Sequence, residues 1–567
     1  MLMAFCVHQA SAQGFLKASN KTIVDGTGKE VILRGMGLGG WMLQEGYMFR
    51  LSFIGQQYRI AEKISDVVGP EKTALFYNRW LHEHTTRADI DSMAAWGFNS
   101  IRLPMHYRLF TEGYNPAKPN WKAKGFQLTD SLLAWCKANR LYLILDMHAA
   151  PGGQGNDLPI SDRNPAWPSL WENPSNQDTL NVIWQHLATR YANEPWIGGY
   201  DLMNEPNWGF EDPKNDFRGI GEKTNAPLKA LLVRLTKTVR EVDKNHLIII
   251  EGNGFGNNYN GLLPAWDDNM ALSFHKYGNF NNTGAIQGFL QLRDEYNLPL
   301  WLGESGENSN TWFTQAIQLA EASHIGWAWW QEKKMGINNP LEIRMPANYQ
   351  VLLDYWNGKG PKPSEAEAWK ILQELLNNIQ LKNNVPHPDV VDAMFRQVRT
   401  TETKPFASHL VTNAATIQAV DFDLGRQGFA YYDKDSASYQ YTPGVNTVGN
   451  KGRTYRNDGV DIQQGARGPE IFSIEEGEWL RYSITVPKEG VYQLSLSFSK
   501  ITRAAAIEVS INEGEQKSSK ELSADTSPQG KIVTHNNLRL AKGRNTVLVK
   551  FNGGGMSFHG LELKRMK

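Results

Sequence analysis

Along residues 31–331, eight short apolar runs alternate with longer stretches whose apolar positions return at helical spacing. The runs are Val31–Leu38, Asn99–Met105, Leu141–His148, Ile197–Glu205, His246–Asn253, Ala271–Tyr277, Leu298–Glu304 and Ile325–Gln331. Most are rich in Ile, Leu, Val or aromatic residues and end on a polar one. The intervening helical patterns include Thr86–Ala95, Leu128–Asn139, Thr179–Tyr191, Ala226–Val242 and Asn310–Ala322. Strand–helix alternation of this kind predicts a parallel sheet. Eight repeats over about 350 residues predict a closed (β/α)8 barrel rather than an open doubly wound sheet. Pro363–Ile379 reads as a last helix with Ser364 as its cap.

The texture then changes twice. Residues 381–410 are polar and mixed and read as a connecting segment, with room for one short helix over Pro386–Val398. From about Ser408 helical spacing disappears. Short alternating runs replace it, such as Trp479–Val486, Tyr492–Phe498, Ala506–Ile511 and Thr546–Phe551, punctuated by Gly, Asn, Asp and Pro. This predicts a β-sandwich, jelly-roll-like, over residues 411–567. The expected order is therefore a barrel at 15–380, the connecting segment, and the sandwich.

Composition narrows the partners. Lys plus Arg and Asp plus Glu both number 59, so no basic excess points to nucleic acid. No apolar run of about 18 residues predicts a membrane span. The opening Met1-Leu2-Met3-Ala4-Phe5-Cys6-Val7, followed by Ala10-Ser11-Ala12, reads as a shortened signal peptide over residues 1–12. The expectation is a secreted or periplasmic monomer. Cleavage would leave Cys136 as the only cysteine, and so no internal disulfide. Nineteen Trp and twenty Tyr suit a protein that stacks on sugar rings, although large cores account for part of the number.

In a (β/α)8 barrel the chemistry sits at the C-terminal ends of the strands. Those ends carry Arg102, His148, Asn204, Glu205, His275, Tyr277, Glu304 and Trp330. Two carboxylates among Arg, His and Tyr donors are the equipment for cleaving a glycosidic bond, and a retaining pair stands about 5–5.5 Å apart. Glu205 and Glu304 fall on the fourth and seventh predicted strands. Asn204 is placed to bind the hydroxyl next to the reacting carbon. Arg102 and Tyr277 can keep a carboxylate ionised by charge and hydrogen bonding. Glu307, three residues past Glu304, reads as a loop residue.

The motifs, in order, are Leu33-Arg34-Gly35 with Gly39-Gly40-Trp41; Gly97-Phe98-Asn99-Ser100-Ile101-Arg102-Leu103-Pro104; Asp146-Met147-His148 with Pro151-Gly152; Asn204-Glu205-Pro206; His275 and Tyr277; Gly303-Glu304; and Gly326-Trp327 through Trp330. Residues 20–380 thereby resemble glycoside hydrolase family 5, within the clan of (β/α)8 retaining glycosidases. The resemblance implies Glu205 as acid/base and Glu304 as nucleophile. It implies Arg102, His148, Asn204, His275 and Tyr277 as sugar-site residues, with Trp330 as a platform and Trp41 as a further substrate contact. No metal and no cofactor are implied. The expected substrate is a β-1,3- or β-1,4-linked glucan. β-Mannan, xyloglucan, transglycosylation, or a non-catalytic glycan-binding role stay open as alternatives.

Residues 415–567 resemble a family 6 carbohydrate-binding module, through Ile417-Gln418-Ala419, Asp421-Phe422-Asp423, Tyr455 to Ile462 and Gly477 to Tyr482. The resemblance implies Tyr455 as a loop aromatic for sugar, with His559 near a later polar contact. No Trp follows Trp479 to supply a second aromatic, and Val420 stands where an acidic calcium ligand would be expected.

Overall fold

The computed structural model describes residues 14–113, 120–437 and 449–566. The expected leader, with Cys6, lies outside them. Eight parallel strands close into a barrel: β1 Arg34–Gly37, β2 Ser100–His106, β3 Tyr142–Ala149, β4 Ile197–Asp201, β5 Leu247–Glu251, β6 Met270–Lys276, β7 Leu300–Gly306 and β8 Gly326–Trp330. β8 pairs with both β7 and β1, which completes the ring. Every residue of β2 to β8 is buried, as strands covered by helices outside and side chains inside must be.

The helices follow from their spacing. In Ala226–Val242 the buried residues Leu228, Leu231, Leu232, Leu235 and Val239 form one stripe, and Pro227 sits in the first turn, where its missing N–H costs nothing. Glu365–Asn378 starts from Ser364, whose hydroxyl accepts from the Glu367 N–H. The helical region Gln57–Glu83 went unread in the sequence because it is broken. Gly69 takes φ 77° and Pro70 follows, so Val68-Gly69-Pro70 ends one helix and starts the next.

The C-terminal region is a two-sheet sandwich. One sheet orders the strands Ile462–Gly465, Gly468–Ile471, Ser557–Arg565, Gly490–Ser499 and Lys531–Leu540, with Ala414–Gln418 also pairing to Ser557–Arg565. The other runs Tyr431–Tyr432, Trp479–Val486, Gly543–Asn552, Ala505–Ile511 and Gln516–Leu522. In Gly490–Ser499, Tyr492, Leu494, Leu496 and Phe498 point into the core while the alternate residues are half-exposed.

The stretch 381–410 is more than a tether. Its helix Pro388–Phe395 packs on Asn310–Ala322, and Val390 and Met394 belong to the barrel core. Thr314 Oγ1 donates to the Ala393 carbonyl at 2.9 Å. Asp389 on this helix accepts from Asn310 Nδ2 and from the Asn457 backbone N–H, both at 2.8 Å. Asn457 Nδ2 donates to the Asn308 carbonyl at 2.8 Å, and Asn310 Nδ2 also reaches Asp458 at 3.0 Å. All of these groups are buried. The sandwich is thus hydrogen-bonded onto the loop that leaves β7.

Candidate active site

Arg102, from the middle of β2, is fully buried at the centre of the barrel mouth. Its guanidinium serves four carboxylates. Nε and Nη2 donate to Asp201 Oδ2 at 3.1 and 2.9 Å, Nη2 also to Glu251 Oε1 at 3.0 Å and to Asn204 Oδ1 at 2.8 Å, and Nη1 to Glu304 Oε1. Asp146 Oδ2 lies 3.3 Å from Nη2. Burial alone would disfavour the guanidinium charge, but the surrounding carboxylates reverse the effect and hold Arg102 firmly protonated. Four acids around one cation cannot all ionise cheaply. Burial, and then the neighbouring Glu251 charge, push Asp201 well above the usual carboxylate range.

Glu304 stands near the end of β7. Tyr277 Oη donates to its Oε2 at 3.1 Å while Arg102 holds Oε1. Burial, followed by the charges of Glu304 and Glu307, pushes the Tyr277 phenol well up, so it remains a neutral donor. Gly303 makes this strand possible. A Cβ there would meet Ser273 Oγ at 2.1 Å and His275 Nε2 at 3.2 Å, so only glycine lets β6 lie this close. A bulge between Phe274 and His275 shifts the register so that His275 pairs with Glu304.

Glu205 is not on a strand. β4 ends at Asp201, and four residues carry the chain out to Glu205, whose φ is 40°. A non-glycine residue in that region costs about 1–3 kcal/mol and persists only where its surroundings impose it. Here the Glu205 N–H donates to Glu251 Oε2 at 2.7 Å, and Asn207 Nδ2 donates to the Glu205 carbonyl at 2.9 Å. The Glu205 side chain accepts from His275 Nδ1 at 2.6 Å. His275 Nε2 lies 3.2 Å from Glu251. Burial lowers the His275 pKa, but Glu251, Glu304 and Glu205 together outweigh it and raise it well above the ordinary value. Burial likewise opposes charge on Glu251, and His275 and Arg102 overcome it, holding that carboxyl low, at about 2.

His148 donates from Nδ1 to Asp146 at 2.8 Å, which leaves Nε2 to accept from Asn204 Nδ2 at 3.3 Å. Trp330 stacks on His148, with ring centroids 5.1 Å apart and planes 5° from parallel, and its Nε1 donates to Tyr47 Oη at 2.8 Å. A Cβ on Gly37 or Gly39 would meet the Trp330 ring at 2.8 or 2.7 Å. The Gly39-Gly40-Trp41 motif therefore works through its glycine, which clears room for Trp330.

Arg102, His148, Asn204, Glu205, His275, Tyr277, Glu304 and Trp330 all converge on this mouth. Trp41 does not. It is 1% exposed in the barrel core, and its Nε1 donates to the Leu81 carbonyl at 2.8 Å, so it is a packing residue and not a substrate contact. In the module, Tyr455 is half-buried, its hydroxyl donates to Asp421 at 2.6 Å, and it packs on Phe406. His559 lies within a strand, bonded to Ser499 Oγ at 2.8 Å and 3.2 Å from Glu470. Both are half-buried and hydrogen-bonded within the module. Val420 is fully buried and supplies no calcium ligand.

Sequence reasoning missed Asp146, Asp201, Glu251 and Glu45. Asp201 and Glu251 are the last residues of β4 and β5, the same signal that singled out Glu304. In the sequence Glu45, near Trp41, fits a solvated loop charge first and the border of a subsite second. It is buried, and burial together with the Glu304, Glu307 and Glu205 charges pushes its carboxyl well up.

One atom each of Glu205, His275 and Glu304 lie within 4.8 Å of one another. Such a triad also suits a metal ion, but these carboxylates already accept from His275, Arg102 and Tyr277. Oxygens this close fall short of the about 6.5–9.5 Å of inverting glycosidases, which puts the pair on the retaining side. Residues 63–336 match the cellulase family, glycosyl hydrolase family 5. The barrel is a glycosyl hydrolase family 5 domain. Residues 452–563 match the family 6 carbohydrate binding module. The chain is 29% identical over 375 residues to the beta-xylosidase of Phanerodontia chrysosporium, covering 60% of this chain and 75% of that protein. It is 26% identical over 329 residues to endoglucanase C of Acetivibrio thermocellus, covering 47% and 89%. A probable glucan 1,3-beta-glucosidase A of Emericella nidulans is 25% identical over 255 residues, covering 44% and 58%. With its family 5 domain, the chain is a glycoside hydrolase.

Proposed function

We propose that the chain is a retaining β-glycosidase acting on a β-linked glucan, with Glu304 as nucleophile and Glu205 as acid/base. The observation that carries this reading is the carboxylate pair itself, with oxygens within 4.8 Å and unlike surroundings. Glu304, held by Arg102 and Tyr277, attacks the anomeric carbon. Glu205 gives its proton to the glycosidic oxygen, and the leaving sugar departs. In the second step Glu205 takes a proton from water, which displaces Glu304 from the anomeric carbon. Asn204, fixed between Arg102 and His148, faces the substrate with its neighbours' hydrogen bonds already made. No cofactor takes part in these steps.

β-1,3- and β-1,4-glucans are the first substrates to test. The match to a beta-xylosidase adds β-xylosides, and β-mannan and xyloglucan complete the panel. We place the enzyme outside the cytoplasm on the leader-like residues 1–12. Turnover of the panel, with product sizing, identifies the sugar and separates endo from exo action and hydrolysis from transglycosylation. Glu304→Ala and Glu205→Ala should each lose several orders of magnitude in kcat/KM. Azide should rescue Glu304→Gly and give a sugar azide of inverted anomeric configuration. Near-normal turnover by either alanine variant would refute the assignment.

A further inference from the structure

A cavity of about 580 Å³ opens where the barrel meets the sandwich, lined from both sides by Tyr47, Arg50, Glu307, Lys334, Asn450 and Arg453 among others. It adjoins the catalytic mouth. Tyr47 on its wall accepts from Trp330 Nε1, and Glu307 lies three residues beyond Glu304. The charges of Glu304 and Glu307 both act on Tyr277, so the cavity and the mouth share an electrostatic wall.

The wall supplied by the sandwich is stiff. Asn450 donates from Nδ2 to the carbonyls of Thr454 and Arg456, both at 2.8 Å, and its Oδ1 accepts from the Ile462 N–H at 2.9 Å. Next to it the Asn457 and Asp458 hydrogen bonds fasten the same turn to the barrel. Arg453 projects from this turn, and Arg50 projects from the barrel loop that follows β1.

Among the described residues their charges are unmatched. Glu307 is paired with Lys334, and Asp458 with the buried Arg456. Among the described residues, neither Arg50 nor Arg453 has a side-chain hydrogen bond or ion pair. Two free guanidiniums, one from each domain, face a cavity of sugar size beside a glycosidase site. Arginine forks suit carboxylates and sulfates in geometry and charge.

On the glycosidase reading above, we propose that this junction is a second sugar subsite, to which the module contributes Arg453, and that it recognises an anionic substituent on the glycan, a uronate carboxylate or a sulfate ester. The module then completes the cleft in place of binding sugar through its own loop face.

The test uses the full chain. Binding is titrated with neutral β-linked oligosaccharides, with counterparts carrying one uronic acid, and with counterparts carrying one sulfate, for the wild type, Arg50→Ala and Arg453→Ala. The expected result is at least about tenfold tighter binding of one acidic series, lost in either variant and weakened by salt, as charge-assisted contacts predict. Which acidic series gains identifies the group. Equal binding of neutral and acidic chains by the wild type, or an equal loss for both in the variants, overturns the proposal. Turnover of a short aryl β-glycoside, too small to reach the junction, should be unchanged in both variants. Its absence in the wild type would refute the glycosidase reading, while the titration still reports on the junction.

Discussion

Asp389→Ala tests whether the sandwich is fastened to the barrel as described. One oxygen of Asp389 accepts two buried donors, Asn310 Nδ2 and the Asn457 N–H, each at 2.8 Å. Removing it leaves the Asn457 N–H with no acceptor and leaves Asn310 Nδ2 with Asp458 alone, at 3.0 Å. An orphaned buried donor costs about 1–3 kcal/mol, so the variant should lose about 2–4 kcal/mol of coupling between the two domains. The chain has more than one domain, so a single unfolding free energy is not meaningful, and two probes are needed. Trp479 is the only tryptophan after Trp369, so tryptophan fluorescence reports mainly on the barrel, whereas far-ultraviolet circular dichroism reports on both domains. In urea the two curves should coincide for the wild type and separate for Asp389→Ala. Asp389→Asn, which keeps an acceptor oxygen of the same shape, should restore part of the loss. If the two Asp389→Ala curves stay coincident, with a urea midpoint unmoved from that of the wild type, the docking argument fails.

Glu251→Gln removes the largest of the charges that raise the His275 pKa. A raised folded-state pKa gives stability that is present below the unfolded value of about 6.5 and lost as pH rises through the folded one. The variant should therefore lose this stability at lower pH than the wild type as the solution turns alkaline, and an unmoved alkaline limb in the Tm–pH profile would contradict the hold of Glu251 on the His275 charge. Trp41→Phe should lower stability by about 1–3 kcal/mol through the lost bond to Leu81 while leaving KM within about twofold. Trp330→Ala should instead reduce kcat/KM at least about tenfold, and a reversal of the two patterns would return Trp41 to the substrate site. Burial lowers the Lys276 pKa to about 7, against a contact with the Trp312 ring at 4.4 Å and a bond to Asn281 at 2.6 Å. The cost of its charge is fully present below that pH and fades towards about 10.5 as the unfolded chain also loses its proton. Lys276→Met should raise Tm most at pH 6 and least at pH 10, and a pH-independent change would show that burial of the ammonium is not the cause.

The barrel is legible in the sequence because strands buried on both faces become unbroken apolar runs, and helices on one face become stripes. Glu304 is legible because an acid that ends such a run has few structural reasons to be there. Glu251 carries the same mark, yet it sits inside the run His246–Asn253, where only the fold shows that the strand stops. The hub around Arg102 is invisible for a different reason. The groups it hydrogen-bonds lie 99 to 202 residues away in the chain, and no local period encodes their meeting. Trp41 misleads because a tryptophan after two glycines looks the same whether its ring faces a sugar or a helix. Glu45 misleads because nothing in a short loop sequence tells a covered carboxyl from a wet one.

The loop leaving β7 is held at one end by the catalytic strand and at the other by the sandwich. An ancestor that exchanged its C-terminal module for an unrelated one would have lost the Asn457 and Asp458 contacts made by Asn308 and Asn310, four and six residues past Glu304, and by Asp389 on the bridging helix. The boundary that recombination can cross without damage is therefore not the visible gap between barrel and sandwich. Barrel loop, bridging helix and module turn would then pass on as one piece, and lineages that kept the barrel but changed the module should have rewritten the residues after Glu304 at the same time.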